Sequence, residues 1–488
     1  MLPVDLPDAV RDALLAPLVD HHCHGVRRDD LSRAQFELLI GESRTPAPPG
    51  TTHFDTPLGA AIRRWCAPVL DLEPHVAPAV YLGRRQELGA GEVNRRLLQA
   101  SGVVAFLVDT GLEAPDLLSA AEMGRHGGAA ADEIVRLEQV EQDIADTAAV
   151  AVDYMDSLGE ELVARAARAV GLKSIIAYRC GLDFDPSRPS RGSVIAAANR
   201  RLSDPRERLV DPILLRHLLW TAVDVARDRA LPIQFHTGYG DADLDMSRAD
   251  PAQMTGFIRA LQPLGIPVVL LHCYPFHRQA AYLASVFPHV YVDVGLTLTH
   301  TAAGSARILD ELLELVPFHK QLFSSDCYGL AEGCHLGAVY FRLGMAGALG
   351  RRVESGSGAR QTPPASPTWR ARATPAASTG FDRSRRPVPA DFRGDAPAPA
   401  RAPGAAARSP ETPGRRSADR RTRIRTAGRS SRRRRGSTAG RRRPGTARPP
   451  PRWPHAATVP APRAPAPADP PPAPRRRSAR PRVARPPA

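Results

Sequence analysis

Leu18-Val19-Asp20-His21-His22-Cys23-His24-Gly25 begins apolar and ends in three histidines set around one cysteine. Side chains alternate along a strand, so His22 and His24 fall on one side and Cys23 on the other. Two imidazoles on one face of a strand end make half a site for zinc or a similar divalent ion. The alternative is two ordinary polar histidines leaving a strand. The same grammar recurs downstream. Pro232-Ile-Gln-Phe-His236-Thr-Gly, Pro267-Val-Val-Leu-Leu-His272-Cys-Tyr-Pro and Gln321-Leu-Phe-Ser-Ser-Asp326-Cys-Tyr-Gly each run from an apolar stretch to a metal-ligand residue type. One such histidine is ordinarily a hydrogen-bonded rim residue; four strand ends that agree form a site.

Around these stretches, short β-branched runs alternate with amphipathic segments, the pattern of repeated β-α units on a parallel sheet. Eight strands are predicted: Pro17–His22, Val103–Asp109, Glu133–Leu137, Lys173–Tyr178, Pro232–His236, Pro267–His272, Val290–Val294 and Gln321–Ser325. Leu158–Ala169, Asp211–Arg229, Ala252–Leu261 and Ala302–Leu315 read as intervening helices. The fold class is therefore α/β, a (β/α)8 TIM barrel, whose active site belongs at the C-terminal strand ends. Residues 29–98 form a long insertion after the first strand, expected to lay helices over the barrel mouth.

The composition divides the chain in two. From Arg351 onward there are 34 arginines, no lysine and seven acidic residues, a net charge of +27; the first 350 residues carry −12. Residues 1–350 read as the barrel. Residues 351–488, with runs such as Ser431-Arg-Arg-Arg-Arg, lack apolar periodicity and read as a disordered basic tail. One reading of the tail is an arm for nucleic acid or an acidic partner. The favoured one is a GC-rich gene read out of frame, because the change falls where a barrel still needs its last helices. Scattered Trp369, Phe381, Phe392 and Trp453 offer little stacking surface for bases. The six cysteines show no C-x-x-C pair, which argues against a disulfide framework or an all-cysteine zinc site. The N-terminus does not read as a signal peptide and no apolar run of about 18 residues occurs, so the expected setting is cytoplasmic.

The set Asp20-x-His22-x-His24, His236, His272 and Asp326 resembles the amidohydrolase superfamily. Phe235-His-Thr-Gly-Tyr-Gly-Asp241, Leu271-His-Cys-Tyr-Pro275 and Lys173-Ser-Ile-Ile-Ala-Tyr-Arg179 are similar to its Amidohydrolase-2 branch, which includes the domain fused to glutamine-synthetase-like proteins. The resemblance covers about residues 10–345 and implies that His22, His24, His236 and Asp326 bind a divalent ion, expected to be zinc. It implies that Asp326 is also the base that deprotonates water at the metal. His272 would polarise substrate or ligate a second ion. Lys173 is either a carboxylated bridge between two ions or a core cation paired with a carboxylate, and the single-ion arrangement is favoured. Arg179 suits a substrate carboxylate because its planar fork matches carboxylate geometry; a surface salt bridge is the plainer reading. Arg136, Glu138, Asp241 and Tyr274 are further pocket candidates, each with an ordinary structural alternative.

The resulting expectation is a hydrolase of small carboxylated molecules, cleaving an amide, cyclic amide or ester, at a carbon–nitrogen bond other than a peptide bond. Its rivals are a non-oxidative decarboxylase on the same barrel and nucleic-acid binding by the tail. No membrane partner is expected, and self-association is left open.

Overall fold

A computed structural model of the chain describes residues 6–112 and 114–357. Seven parallel strands run in chain order: β1 (Leu18–Cys23), β2 (Val103–Asp109), β3 (Ala130–Arg136), β4 (Gly171–Ser174), β5 (Ile233–His236), β6 (Val268–Leu271) and β7 (Val290–Val292). Each is followed by helix, so every connection is a crossover and the sheet curls into a TIM-barrel-like fold. The expected eighth strand is present as an extended segment without a regular ladder. Leu322 donates its N–H to Val292 O on one side, while Phe323 O and Cys327 O accept from the N–H groups of His21 and His24 on the other. Residues 321–327 thus lie between β7 and β1. Regular pairing fails there because the Ser325 N–H is spent on the Asp20 carboxylate and Asp326 adopts a φ of 48°.

Strict alternation also breaks in β1. Leu18 and Cys23 have opposite parity yet both pack in the main apolar layer. The β1–β2 register shifts between Asp20 and Cys23, so one extra residue is absorbed there. β4 is shorter than predicted. Ser174 Oγ accepts from Ile176 N–H, and Ile176–Tyr178 turns into a 3-10 helix. The strand predicted over Lys173–Tyr178 therefore stops at Ser174, and Arg179 follows the turn.

The segment after β1 supplies helices Arg33–Leu38, Pro57–Ala61, Pro78–Leu88 and Ala90–Ala100. Ser32 caps the first with a reciprocal Ser32–Gln35 capping box. The last helix, Ala331–Glu354, closes the bundle. Its Arg342 donates to the carbonyls of Ser101 (2.7 Å) and Leu14 (3.2 Å), tying the end of the barrel to its beginning. This helix continues past residue 350, and both Arg351 and Arg352 pair with Asp310. Cys327 and Cys334 are joined as a disulfide, contrary to the reading of their spacing, because this helix turns back over the closing segment in its first turn. Among the described residues no helix is long and apolar enough to cross a membrane. The expected tail, from Gly358 onward, lies outside the described residues.

Candidate metal centre

The strand ends converge on one cavity of about 810 Å³. Ligand atoms of His22, His24 and Asp326 lie within 4.8 Å of one another; His24 and Asp326 line the cavity and His22 is buried behind them. His22 Nε2 is 3.1 Å and His24 Nε2 3.4 Å from Asp326 Oδ1, and His272 Nε2 is 3.5 Å from Asp326 Oδ2. β1 and the closing segment, the first and last strands of the barrel, therefore provide this cluster. Asp326 N–H donates to His22 O at 3.1 Å, which fixes the carboxylate beside the imidazoles.

Neighbouring hydrogen bonds set the histidine tautomers. Gln234 Nε2 donates to His21 O at 2.8 Å, so its Oε1 must face His22 Nδ1, 2.9 Å away. An amide oxygen only accepts; His22 therefore carries its proton on Nδ1 and offers the Nε2 lone pair. His24 is fixed in the same way, donating from Nδ1 to Asp109 O at 3.3 Å. Burial, and next the Lys173 ammonium, hold the His22 pKa down to about 3. It is a neutral ligand at ordinary pH. Burial likewise keeps His236 and His272 below the usual imidazole range.

The donor set fits a divalent ion by three observations. Two imidazoles present Nε2 lone pairs to the same carboxylate oxygen. Asp326 Oδ1 lies buried with no hydrogen-bond donor, and His236 Nε2 is buried without a partner. Asp326 stays ionised although burial alone would raise its pKa, because His272, His22 and His24 hold it down. His236 stands outside the 4.8 Å cluster but lines the same cavity, its ring 4.7 Å from that of His272.

Supporting groups surround the ligands. Asp293 accepts from His21 Nε2 (2.7 Å), His272 N–H (2.8 Å) and Gly295 N–H (2.9 Å). It thereby stabilises the turn at His272, where φ is 69°, a left-handed conformation that costs a non-glycine residue about 1 kcal/mol or more. Asp20 accepts from the N–H and hydroxyl of Ser325, while burial lifts its pKa to about 7. Asp109 accepts from Arg136 Nη2 at 2.7 Å and Nε at 3.1 Å. Lys173 Nζ lies 3.7 Å from Asp109 and 3.0 Å from His22 Nε2, wholly buried.

Several predicted pocket residues fall differently. Asp241 lines the cavity, but its carboxylate is held by Arg44 from the segment after β1. Tyr274 is not among the lining residues, because the left-handed turn at His272 and Cys273 sends its ring onto His277. Tyr178 takes that place, its ring 4.6 Å from His236. Arg179, Arg136 and Glu138 all line the cavity. Asp109, Gln234, Asp293 and Tyr178 escaped the sequence reading. Gln234 had a signal, since it shares strand parity with His236; Asp109 ends one predicted strand and Asp293 is the last but one residue of another. Leu38, Leu39, Gly41, Glu42, Leu58 and Ile62 form one wall, so the segment after β1 does border the cavity mouth.

Residues 150–374 match the family profile described as Amidohydrolase. Protein fluG of Emericella nidulans is 35% identical over 185 residues, 36% of this chain and 21% of that protein, so the chain spans about a fifth of this relative's length. The solved structure of a candidate metal-dependent hydrolase from Lactobacillus casei ATCC 334 superposes with a TM-score of 0.62 at 26% identity, covering 75% of this chain and 94% of that one. A uronate isomerase from Bacillus halodurans C-125, at 12% identity and TM-score 0.50 over 72% of this chain and 89% of that one, shares the barrel fold alone. With the His-x-His strand end, the aspartate of the closing segment and the curled parallel sheet in place, residues 150–374 of the chain match the Amidohydrolase-2 family.

Proposed function

We propose that the chain is a metal-dependent hydrolase of small carboxylated molecules, cleaving an amide or cyclic-amide carbon–nitrogen bond, or an ester. The observation that carries this is the pair of Nδ1-protonated imidazoles presenting Nε2 to Asp326 at the cavity. A divalent ion held by His22, His24 and Asp326, with His236 alongside, supplies Lewis acidity toward an oxygen placed against it. We take the ion to be zinc, one per chain. Lys173 serves better as a buried cation against Asp109 than as a bridge to a second ion.

Asp326 takes the proton of the attacking water and returns it to the leaving nitrogen or oxygen. His272 keeps that carboxylate oriented from its other oxygen. Arg179, whose side chain makes no hydrogen bond or ion pair among the described residues, is free for a substrate carboxylate. A decarboxylase on the same ligands is separated by its product, carbon dioxide in place of an amine or alcohol.

The test is metal analysis of the purified chain, followed by turnover on a panel of small amides and esters. We expect one divalent ion per chain, lost in the His22→Ala, His24→Ala double variant. Asp326→Asn should lower turnover by about 10²–10⁴-fold with little change in KM. An ion-free wild type, or equal metal content in the double variant, overturns the assignment.

A further inference from the structure

Two charged groups on the cavity wall are each half used. Glu138 is 4% exposed, and its Oε1 accepts from Ser174 Oγ at 2.6 Å and from Ile175 N–H at 3.0 Å. Its Oε2 is buried, has no hydrogen-bond partner among the described residues, and belongs to a residue lining the cavity. Arg179 has its Nε buried without a partner, and it lines the same cavity. Each group feels the other's charge, yet they form no ion pair. A buried carboxylate oxygen and a buried guanidinium N–H left unpaired each carry an uncompensated desolvation penalty. A ligand that satisfies both must bring a donor to Glu138 and an acceptor to Arg179, and an ammonium beside a carboxylate supplies the strongest such pair.

We infer that Glu138 and Arg179 form the recognition site for an α-amino-acid head group, Glu138 accepting from its ammonium and Arg179 donating to its carboxylate. The geometry suits this pairing. Ammonium and carboxylate sit on one carbon in such a head group, so one ligand bridges two walls that are near but not touching. Glu138 is the second residue of helix Leu137–Ala145, where the N-terminal dipole favours a negative charge and works against the burial that pushes its carboxyl up. Nearby charges do not compete for the same atoms: Arg208 is engaged by Asp243 and the Tyr178 carbonyl, and Asp241 by Arg44. The inference rests on the cavity being the substrate pocket of the proposed hydrolase. It narrows the substrate class to molecules that keep a free amino-acid head and present the scissile bond at the far end. Glu138 becomes a specificity-determining residue.

The test uses three matched probes on the full chain by isothermal calorimetry: L-2-aminoadipate, adipate, which lacks the amino group, and 5-aminopentanoate, which lacks the head carboxylate. The expected order puts 2-aminoadipate at least 10-fold tighter than either of the others. Glu138→Gln retains an oxygen for Ser174 and Ile175, so it should fold normally, which a circular-dichroism melt checks. It should erase the preference for 2-aminoadipate over adipate while leaving adipate's affinity unchanged. Arg179→Met should weaken 2-aminoadipate and adipate by at least 10-fold and leave 5-aminopentanoate unaffected. Equal binding of 2-aminoadipate and adipate, a preference that survives Glu138→Gln, or no binding by any probe overturns the inference. None of these readouts depends on turnover or metal content, so the hydrolase reading stands or falls separately on its own assay.

Discussion

Replacing Asp109 by asparagine tests whether the buried charge cluster beneath the ligands holds the barrel together. Asp109, Arg136 and Lys173 are 2%, 8% and 2% exposed, so neither cation has solvent to fall back on. Arg136 donates two hydrogen bonds to Asp109 Oδ2, and Lys173 sits 3.7 Å from the same oxygen. Burial by itself would raise the Asp109 pKa; Arg136 first and Lys173 next hold it well below the usual carboxylate range. Asparagine keeps one acceptor for Arg136 but takes from two buried cations the carboxylate nearest them, leaving only the weaker pull of Asp326 and Glu138. Breaking a buried pair from one side costs about 3–5 kcal/mol, and the retained acceptor argues for the lower end, about 3 kcal/mol. With a urea m-value of about 3 kcal/mol/M, the denaturation midpoint should fall by about 1 M. Adding Arg136→Gln removes one orphaned cation, so the double variant should recover at least about 1 kcal/mol relative to the sum of the singles. Urea unfolding followed by circular dichroism reads all four proteins. A single variant within about 1 kcal/mol of wild type, or strictly additive effects, would refute the argument that this cluster is mutually dependent.

Two further substitutions probe the ligand shell. Gln234→Leu removes the acceptor that fixes the His22 tautomer, and divalent-ion affinity measured by competition with a chelator should drop by about 10–100-fold with the fold retained. A Cβ at Gly240 would stand 2.1 Å from Tyr178 Oη and 2.9 Å from His236 Nε2. Gly240→Ala should therefore displace His236 and lower turnover at least 10-fold, while Gly83→Ala, which meets nothing within 4 Å, serves as the neutral control.

Most of the barrel was legible because its strands are apolar runs that stop abruptly at histidine or aspartate. The convergence of His22, His24 and Asp326 was readable for the same reason: each closes an apolar run at one end of the barrel. What was not legible depends on side chains that compete with backbone pairing. Ser174 and Glu138 capture the N–H groups that would have prolonged β4, and Asp20 captures the one that would have regularised the closing segment. Tyr274 was misplaced because a left-handed backbone at two consecutive non-glycine residues is not written in their types. Cys327 and Cys334 meet only because a helix doubles back, a relation that spacing in sequence does not carry.

The ion ligands come from opposite ends of the barrel, His22 and His24 from its first strand and Asp326 from the segment that completes it. Some three hundred residues separate them, which at roughly 5–20 residues per second is on the order of 15–60 s of synthesis. Until then a chain carrying only His22 and His24 would favour copper over zinc by intrinsic affinity. Only when Asp326 arrives does the third ligand impose its geometry. Under the proposed assignment the full ligand set exists only once the closing segment has docked beside β1, so selection of the ion would follow closure of the sheet.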